Sequence, residues 1–266
     1  MIALLTDFGL RDTYVGQMKA VIAGLAPGVA VVDLTHAVAP QNVAAGALAL
    51  DVALPACPRG TVVLAVVDPG VGTGRRGVAI RSDAGDLTFV GPDNGLFTLA
   101  LRRAGTCRAV ELTNRAYYRT GGEGMSPTFH GRDIFAPVAA HLATGVALDA
   151  LGPAVDDLVE LPLPEPARIA PGELELHVLD VDRFGNLITD LTAEALAAAG
   201  GAIAIDLAGC RITRLARTYA DVSEGEPVAY VGSSGRLEVA LRNGSAAQWF
   251  NIGPGAAIRA SFAADD

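Results

Sequence analysis

Thr61-Val62-Val63-Leu64-Ala65-Val66-Val67 is a short, β-branched, apolar run that breaks at once into Asp68-Pro69-Gly70-Val71-Gly72. Bounded by turn residues, such a run reads as a buried strand ending in a sharp loop. The same unit recurs upstream. Ile2–Leu5 and Val29–Leu34 are similar runs, and the alanine-rich stretches Thr13–Leu25 and Asn42–Leu54 alternate with them. Strand–helix alternation predicts a largely parallel sheet flanked by helices. Within Thr13–Leu25, the apolar residues Val15, Met18, Ile22 and Leu25 recur at helical spacing and read as core, with Asp12 expected as the N-cap.

The pattern ends at Leu161-Pro162-Leu163-Pro164-Glu165-Pro166. Each proline lacks an N–H and fixes φ, so neither helix nor inner strand can run through it. Beyond lie short runs, Glu173–Asp180, Ala202–Leu207, Val228–Val231, Leu237–Leu241 and Ala257–Phe262, separated by glycine-bearing turns, with a short helix expected over Ala193–Ala199. The expected architecture is α/β. A larger N-terminal domain spans 1–163, a linker 164–171, and a smaller antiparallel, barrel-like β domain 172–266.

The 266 residues give room for one large and one small core. Apolar residues make up 51% and charged residues 18%, yet no uninterrupted apolar run approaches the roughly 18 residues of a spanning helix, so no membrane partner is expected. The apolar surplus is expected in a packed core or in subunit interfaces. The formal net charge of −9, with no lysine-rich stripe, makes nucleic acid an unexpected partner. Met1–Asp7 carries no basic segment ahead of its apolar stretch and an acid soon after it, unlike a secretory leader, so the cytoplasm is the expected compartment. Cys57, Cys107 and Cys210 lie far apart, without metal-ligand or CxxC spacing, and read as small core residues.

Three acids follow predicted strands beside glycine or proline: Asp7 in Thr6-Asp7-Phe8-Gly9, Asp68, and Asp93 in Pro92-Asp93-Asn94-Gly95. In an open parallel sheet the carboxyl ends of the strands form the ligand crevice, where these acids are expected to converge. Each by itself reads equally well as a turn or cap residue. Phe129-His130-Gly131-Arg132-Asp133 adds an imidazole ahead of the helical stretch Ile134–Leu142, with Asp133 read as a helix-start residue. Asp182-Arg183-Phe184-Gly185-Asn186 joins an acid, an aromatic face and an amide, a set able to stack a base and read its edge, and also an ordinary turn. Two chemistries stay open on the residues alone. Asp7, Asp68, Asp93 and His130 could ligate a divalent metal that activates water, or the acids could hold the hydroxyls and amine of a nucleoside-like ligand.

Taken in order, these motifs, with Gly232-Ser233-Ser234-Gly235, resemble over nearly the whole chain the S-adenosyl-L-methionine hydroxide adenosyltransferases, relatives of the fluorinating and chlorinating 5′-halogenases. The resemblance implies hydrolysis of S-adenosyl-L-methionine to adenosine and methionine, with no cofactor and no metal. It implies a water-activating set of Asp68, Arg75 and His130, Arg75 being chosen over Arg76 by its spacing of seven from Asp68. Halogenating relatives carry an aromatic in place of Asp68 and a Tyr-Ser pair in place of His130-Gly131. Asp7, with Phe8 in the same motif, is implied to bind substrate at the ribose diol. Asp12 and Asp182 are implied at the methionine amino group, Phe184 and Asn186 at the adenine, and Ser233 and Ser234 at the carboxylate. Gln41 stands where the halogenases have tryptophan, and the segment Arg242-Asn243-Gly244-Ser245 falls near the adenine. A homotrimer with sites at subunit interfaces is implied as well. The rival readings are a metal-dependent hydrolase, a nucleoside-binding sensor without activity, and a halogenase.

Overall fold

In the computed structural model, which describes residues 1–83, 86–122, 124–200 and 203–262, the apolar runs of the N-terminal part are strands of one seven-stranded sheet. They are β1 (Ile2–Thr6), β2 (Val31–Thr35), β3 (Val62–Val66), β4 (Gly77–Ser82), β5 (Leu87–Pro92), β6 (Cys107–Glu111) and β7 (Ala154–Val155). The spatial order is β2-β1-β3-β5-β4-β6-β7. β2, β1, β3 and β5 run parallel, and β4, β6 and β7 extend the sheet antiparallel. Four helices cover it: α1 (Tyr14–Leu25), α2 (Val43–Ala53), α3 (Thr98–Ala104) and α4 (Ala136–Ala143).

β1 and β3 are buried at every position, as central strands covered on both faces must be. Their alternation divides the core. Ile2, Leu4, Val62, Leu64 and Val66 pack with Met18 and Ile22 of α1 and Val138 of α4, whereas Leu5, Val63 and Ala65 pack with Leu50 of α2 and Ala100 of α3. Each fully buried Leu or Ile contributes about 1.5–3 kcal/mol of transfer free energy. The chain leaves β1 for β2 on one side and returns as β3 on the other, so the topological switch lies between β1 and β3. The carboxyl ends of strands at a switch point are where open α/β sheets bind ligands.

Two helix starts depend on polar side chains in different ways. Asn42 caps α2 by accepting from the Ala45 N–H at 3.0 Å. The N-cap of α1 is Thr13, with no side-chain cap bond, so Asp12 is not the cap; it is exposed and one residue too early to reach the first free amides. The helical stretch expected from Ile134 opens instead with a π-helical turn, Gly131–Phe135, and regular α-helix begins at Ala136 beside Pro137.

The chain divides into two compact units, Met1–Pro162 and Leu163–Asp266. The second unit is a nine-stranded, mainly antiparallel, barrel-like sheet. Its elements are β8 (Ala167–Ala170), β9 (Glu173–Val181), β10 (Leu187–Thr192), α5 (Ala193–Ala198), β11 (Ile203–Leu207), β12 (Cys210–Ile212), β13 (Leu215–Ala216), β14 (Pro227–Val231), β15 (Arg236–Leu241), α6 (Ala246–Phe250) and β16 (Ala257–Phe262). Ala202, expected to begin the strand at Leu207, lies outside the described residues. Part of the segment read as linker, Ala167–Ala170, is itself a strand: it hairpins onto β9 through Pro171-Gly172, where Gly172 takes φ +71°. The main core of this unit includes Leu176, Leu187, Leu237, Val239 and Ile258, and a smaller cluster joins Val228, Tyr230 and Ala240.

Cys57, Cys107 and Cys210 are unpaired thiols. Burial pushes Cys57 and Cys107 above the ordinary thiol value, which disfavours the reactive thiolate. Among the described residues no helix is long and apolar enough to cross a membrane.

Candidate active site

Asp7 follows β1 directly and Asp68 follows β3 after Val67, on either side of the switch point. The Asp7 loop is tied down locally. Thr6 Oγ1 lies 2.8 Å from His36 Nδ1 in the core, the Gly9 N–H donates to the His36 carbonyl, and the Gln41 N–H donates to Asp7 Oδ2 at 2.7 Å. Phe8 packs edge-on against Tyr14 and Phe129, and so connects this loop to the one that carries His130.

Arg75 grips Asp68 with two donors, Nε to Oδ1 at 2.9 Å and Nη2 to Oδ2. The same Nη2 lies 3.1 Å from His130 Nδ1. The side chains of Asp68 and Arg75 are 5% and 11% exposed, so this bidentate pair is shielded from competing water. The guanidinium also lies over the Phe135 ring, 5.1 Å from its centroid, a cation–π contact. A guanidinium only donates, which makes Nδ1 the acceptor and puts the imidazole hydrogen on Nε2. Burial, and after it the charge of Arg75, hold the His130 pKa below its ordinary value. The imidazole is therefore neutral at neutral pH.

Close backbone approach keeps these pieces together. Gly72 has φ +79°, and a Cβ there would lie 2.7 Å from the Pro127 carbonyl oxygen, so only glycine lets the Asp68–Arg75 loop touch the segment before His130. Asp133 anchors the other side. Its fully buried carboxylate accepts from Arg119 Nε at 2.7 Å, from Arg132 Nε and Nη2, and from the Ser126 N–H at 2.8 Å. Against its burial, these donors hold its pKa down at about 2.

Asp93 does not join Asp68. Its Oδ2 takes Arg76 Nε and Nη2 at 3.0 and 2.7 Å, and its Oδ1 takes the Val159 N–H. Arg76 Nη1 also reaches Asp157 at 2.6 Å. In the extended approach to β4, successive side chains point to opposite sides, which gives Arg75 to the His130 side and Arg76 to a clamp on the segment 157–159. Among the described residues no three His, Cys, Asp or Glu side chains gather as metal ligands, so the four groups considered for a metal do not form one donor set.

The second unit holds the other motif residues. Asp182 folds its own turn: Oδ1 accepts the Phe184 and Asn186 N–H groups at 2.9 and 2.8 Å, and Oδ2 accepts Asn186 Nδ2 at 2.7 Å. Phe184, Asn186, Tyr219, Leu241, Asn243 and Gly244 line a cavity of about 480 Å³. Asn186 is buried, whereas the Phe184 ring is 77% exposed at the rim. Ser234 donates to Glu238 Oε1 at 3.0 Å, which leaves Ser233 as the exposed hydroxyl of that turn. The sequence reading did not find Tyr219, which lies in a short turn of its own, far in sequence from the motifs. Nor did it find Asp157 as the partner of Arg76, since the two are 81 residues apart.

A carboxylate, a guanidinium and a neutral imidazole joined at the carboxyl ends of parallel strands define a polar small-ligand centre in an α/β protein. The model of the SAM hydroxide adenosyltransferase N-terminal domain matches residues 2–152, and that of the C-terminal domain matches residues 176–259. The chain belongs to this family. It is 49% identical to the (R)-S-adenosyl-L-methionine hydrolase of Thermus thermophilus, over 96% of this chain and 97% of that one. It is 31% identical to a fluorinase of Actinoplanes sp., over 97% and 96% respectively. A crystal structure of a conserved protein from Thermotoga maritima superposes with a TM-score of 0.90 at 34% identity, covering 98% of this chain and all 100% of that one.

Proposed function

We propose that this protein hydrolyses S-adenosyl-L-methionine to adenosine and L-methionine by directing water at the ribose 5′ carbon. The observation that carries the reading is the bonded set Asp68–Arg75–His130 at the switch point of a chain in this family. The sulfonium leaves as a neutral thioether and needs no proton donor, so the demand falls on the nucleophile. As the water oxygen bonds to the 5′ carbon, the carbon–sulfur bond breaks with its electron pair going to sulfur, and the water proton passes to Asp68. Arg75, which cannot accept, holds Asp68 in orientation through its two donors. His130 Nε2–H steadies the water through a lone pair. Fixing a water in line supplies up to about 7–11 kcal/mol, and base assistance adds about 10²–10⁴-fold.

In this reading Asp7 and Phe8 face the ribose, Asp12 and Asp182 the amino group, Phe184 and Asn186 the adenine, and Ser233 with the backbone N–H of Ser234 the carboxylate, the Ser234 hydroxyl being committed to Glu238. The aromatic rim and buried amide of the 480 Å³ cavity support the adenine assignment. No resident metal or cofactor takes part. We infer also a cytoplasmic homotrimer whose sites combine the first unit of one copy with the second unit of the next. The exposed Leu10, Tyr14, Phe184 and Trp249 support such contacts, and three unpaired thiols fit a reducing compartment.

Incubating the purified full-length protein with S-adenosyl-L-methionine tests the reading: free adenosine should accumulate at an unchanged rate in the presence of a strong chelator. Recovery of the ligand intact would leave a binding protein, and chloride-dependent release of 5′-chloro-5′-deoxyadenosine would leave a halogenase.

A further inference from the structure

Behind the cavity of the second unit runs a chain of hydrogen bonds that no part of the proposed reaction uses. Asn186 Nδ2 lies 3.1 Å from Tyr219 Oη, Tyr219 Oη lies 2.5 Å from Tyr230 Oη, and Tyr230 Oη lies 2.8 Å from Glu238 Oε2. Tyr230 and Glu238 are each 7% exposed. The carboxylate has its own niche: a Cβ on Gly232 would fall 1.9 Å from Glu238 Oε1, so a side chain there would push the carboxylate out of place. A carboxylate only accepts, hence the Tyr230 and Ser234 hydroxyls both donate to it. Burial and these bonds push the Tyr230 phenol well above its ordinary value, which keeps it a donor.

The rest of the chain follows by elimination. The Tyr230 oxygen accepts from Tyr219, and the Tyr219 oxygen accepts from Asn186 Nδ2. The second hydrogen of that amide goes to Asp182 Oδ2, which cannot donate, and this fixes which end of the amide is nitrogen. The polar atoms that this relay leaves toward the cavity are Asn186 Oδ1 and a Tyr219 lone pair, both acceptors, while the amide of Asn243, also in the lining, can turn to present either sense.

We infer that Glu238, acting through Tyr230 and Tyr219, sets the Asn186–Tyr219 wall of the cavity as accepting, and so selects a 6-amino purine against a 6-oxo purine. Glu238 and Tyr230 are positioning residues in this scheme. The inference rests on the adenine assignment made above and goes beyond it by naming what enforces the choice. A purine with an exocyclic amine offers hydrogens to these acceptors, whereas a 6-oxo group meets them lone pair to lone pair, a mismatch that hydrogen-bonding sites reject strongly.

Titration calorimetry of the full-length protein with adenosine and with inosine tests this. The wild type should bind adenosine at least about tenfold more tightly. Glu238→Gln, whose amide can donate to Tyr230 and reverse the chain, should reduce that preference by about tenfold, mainly through tighter inosine binding. A merely structural loss would weaken both nucleosides together. Should Glu238→Gln not fold, Tyr219→Phe at the partly exposed end carries the test, since it frees an Asn186 hydrogen toward the ligand and should erode the preference likewise. A wild type that prefers adenosine while every folded variant keeps the full preference would overturn the inference, as would a wild type without preference. A wild type that binds neither nucleoside and releases no adenosine would instead sink the proposed function.

Discussion

His130 ties the site to pH in a definite direction. Its Nδ1 accepts from Arg75 only while unprotonated, and burial with the Arg75 charge depresses its pKa from 6.5. A depressed imidazole is neutral in the working state and loses that state as pH falls through its own lowered pKa. The kcat/KM profile should therefore hold level down to pH 6.5 and decline below it; an acid limb centred above 6.5 would contradict the assignment. Asp68→Asn preserves shape but not basicity, so binding of S-adenosyl-L-methionine by calorimetry should persist while turnover drops by about 10²–10⁴-fold. Near-normal adenosine release from that variant would remove Asp68 from the role. At this scale the sequence indicated which acids end strands, because Asp7, Asp68 and Asp93 each follow an apolar run. It could not show that Asp93 belongs to Arg76 rather than to the Asp68 group, since which way Arg75 and Arg76 point depends on backbone direction entering β4.

The π-helical turn Gly131–Phe135 and its anchor Asp133 hold the His130 segment. The sequence marks Asp133 as a helix-start residue, and it does lie in the first turn, but its partners Arg119 and Ser126 come from outside that turn. Periodicity cannot signal a π-turn, because one extra residue per turn leaves the apolar pattern of the following helix almost unchanged. A carboxylate whose folded pKa is lowered from 3.8 to about 2 contributes stability that is present above pH 3.8 and lost as pH falls through 2. That shift is worth on the order of 2 kcal/mol. Asp133→Asn should accordingly lower unfolding stability in urea by about 2 kcal/mol at pH 7, with the gap between variant and wild type closing near pH 2. An equal gap at both pH values would mean that packing, not charge, is lost.

Across the whole molecule, the alternating runs made the first unit's parallel strands and covering helices readable, and glycine-spaced short runs did the same for the β-rich second unit. The hairpin of β8 was hidden among prolines, since Ala167–Ala170 carries little β-branched character and gains its strand from β9. The polar chain behind the second cavity was equally hidden, because Tyr219, Tyr230 and Glu238 meet only when a turn and two strands converge. If the working assembly shares each site between copies, two crippled chains can rescue each other. Asp68→Asn and Asn186→Ala proteins, co-expressed in equal amounts and assayed below KM, should recover about a quarter of wild-type activity, the fraction of interfaces where two intact halves meet. Activity no better than the mean of the two separate variants would place each site within one copy.

The opposite facing of Arg75 and Arg76 makes the length of the Gly70–Gly74 bend a heritable quantity in its own right. Deleting one residue there would exchange the two guanidiniums, handing the clamp residue to the imidazole and the working one to the 157–159 strap, with the overall composition barely altered. Apart from Gly72, whose φ and contact with Pro127 admit only glycine, substitutions along this bend can drift, but insertions and deletions cannot.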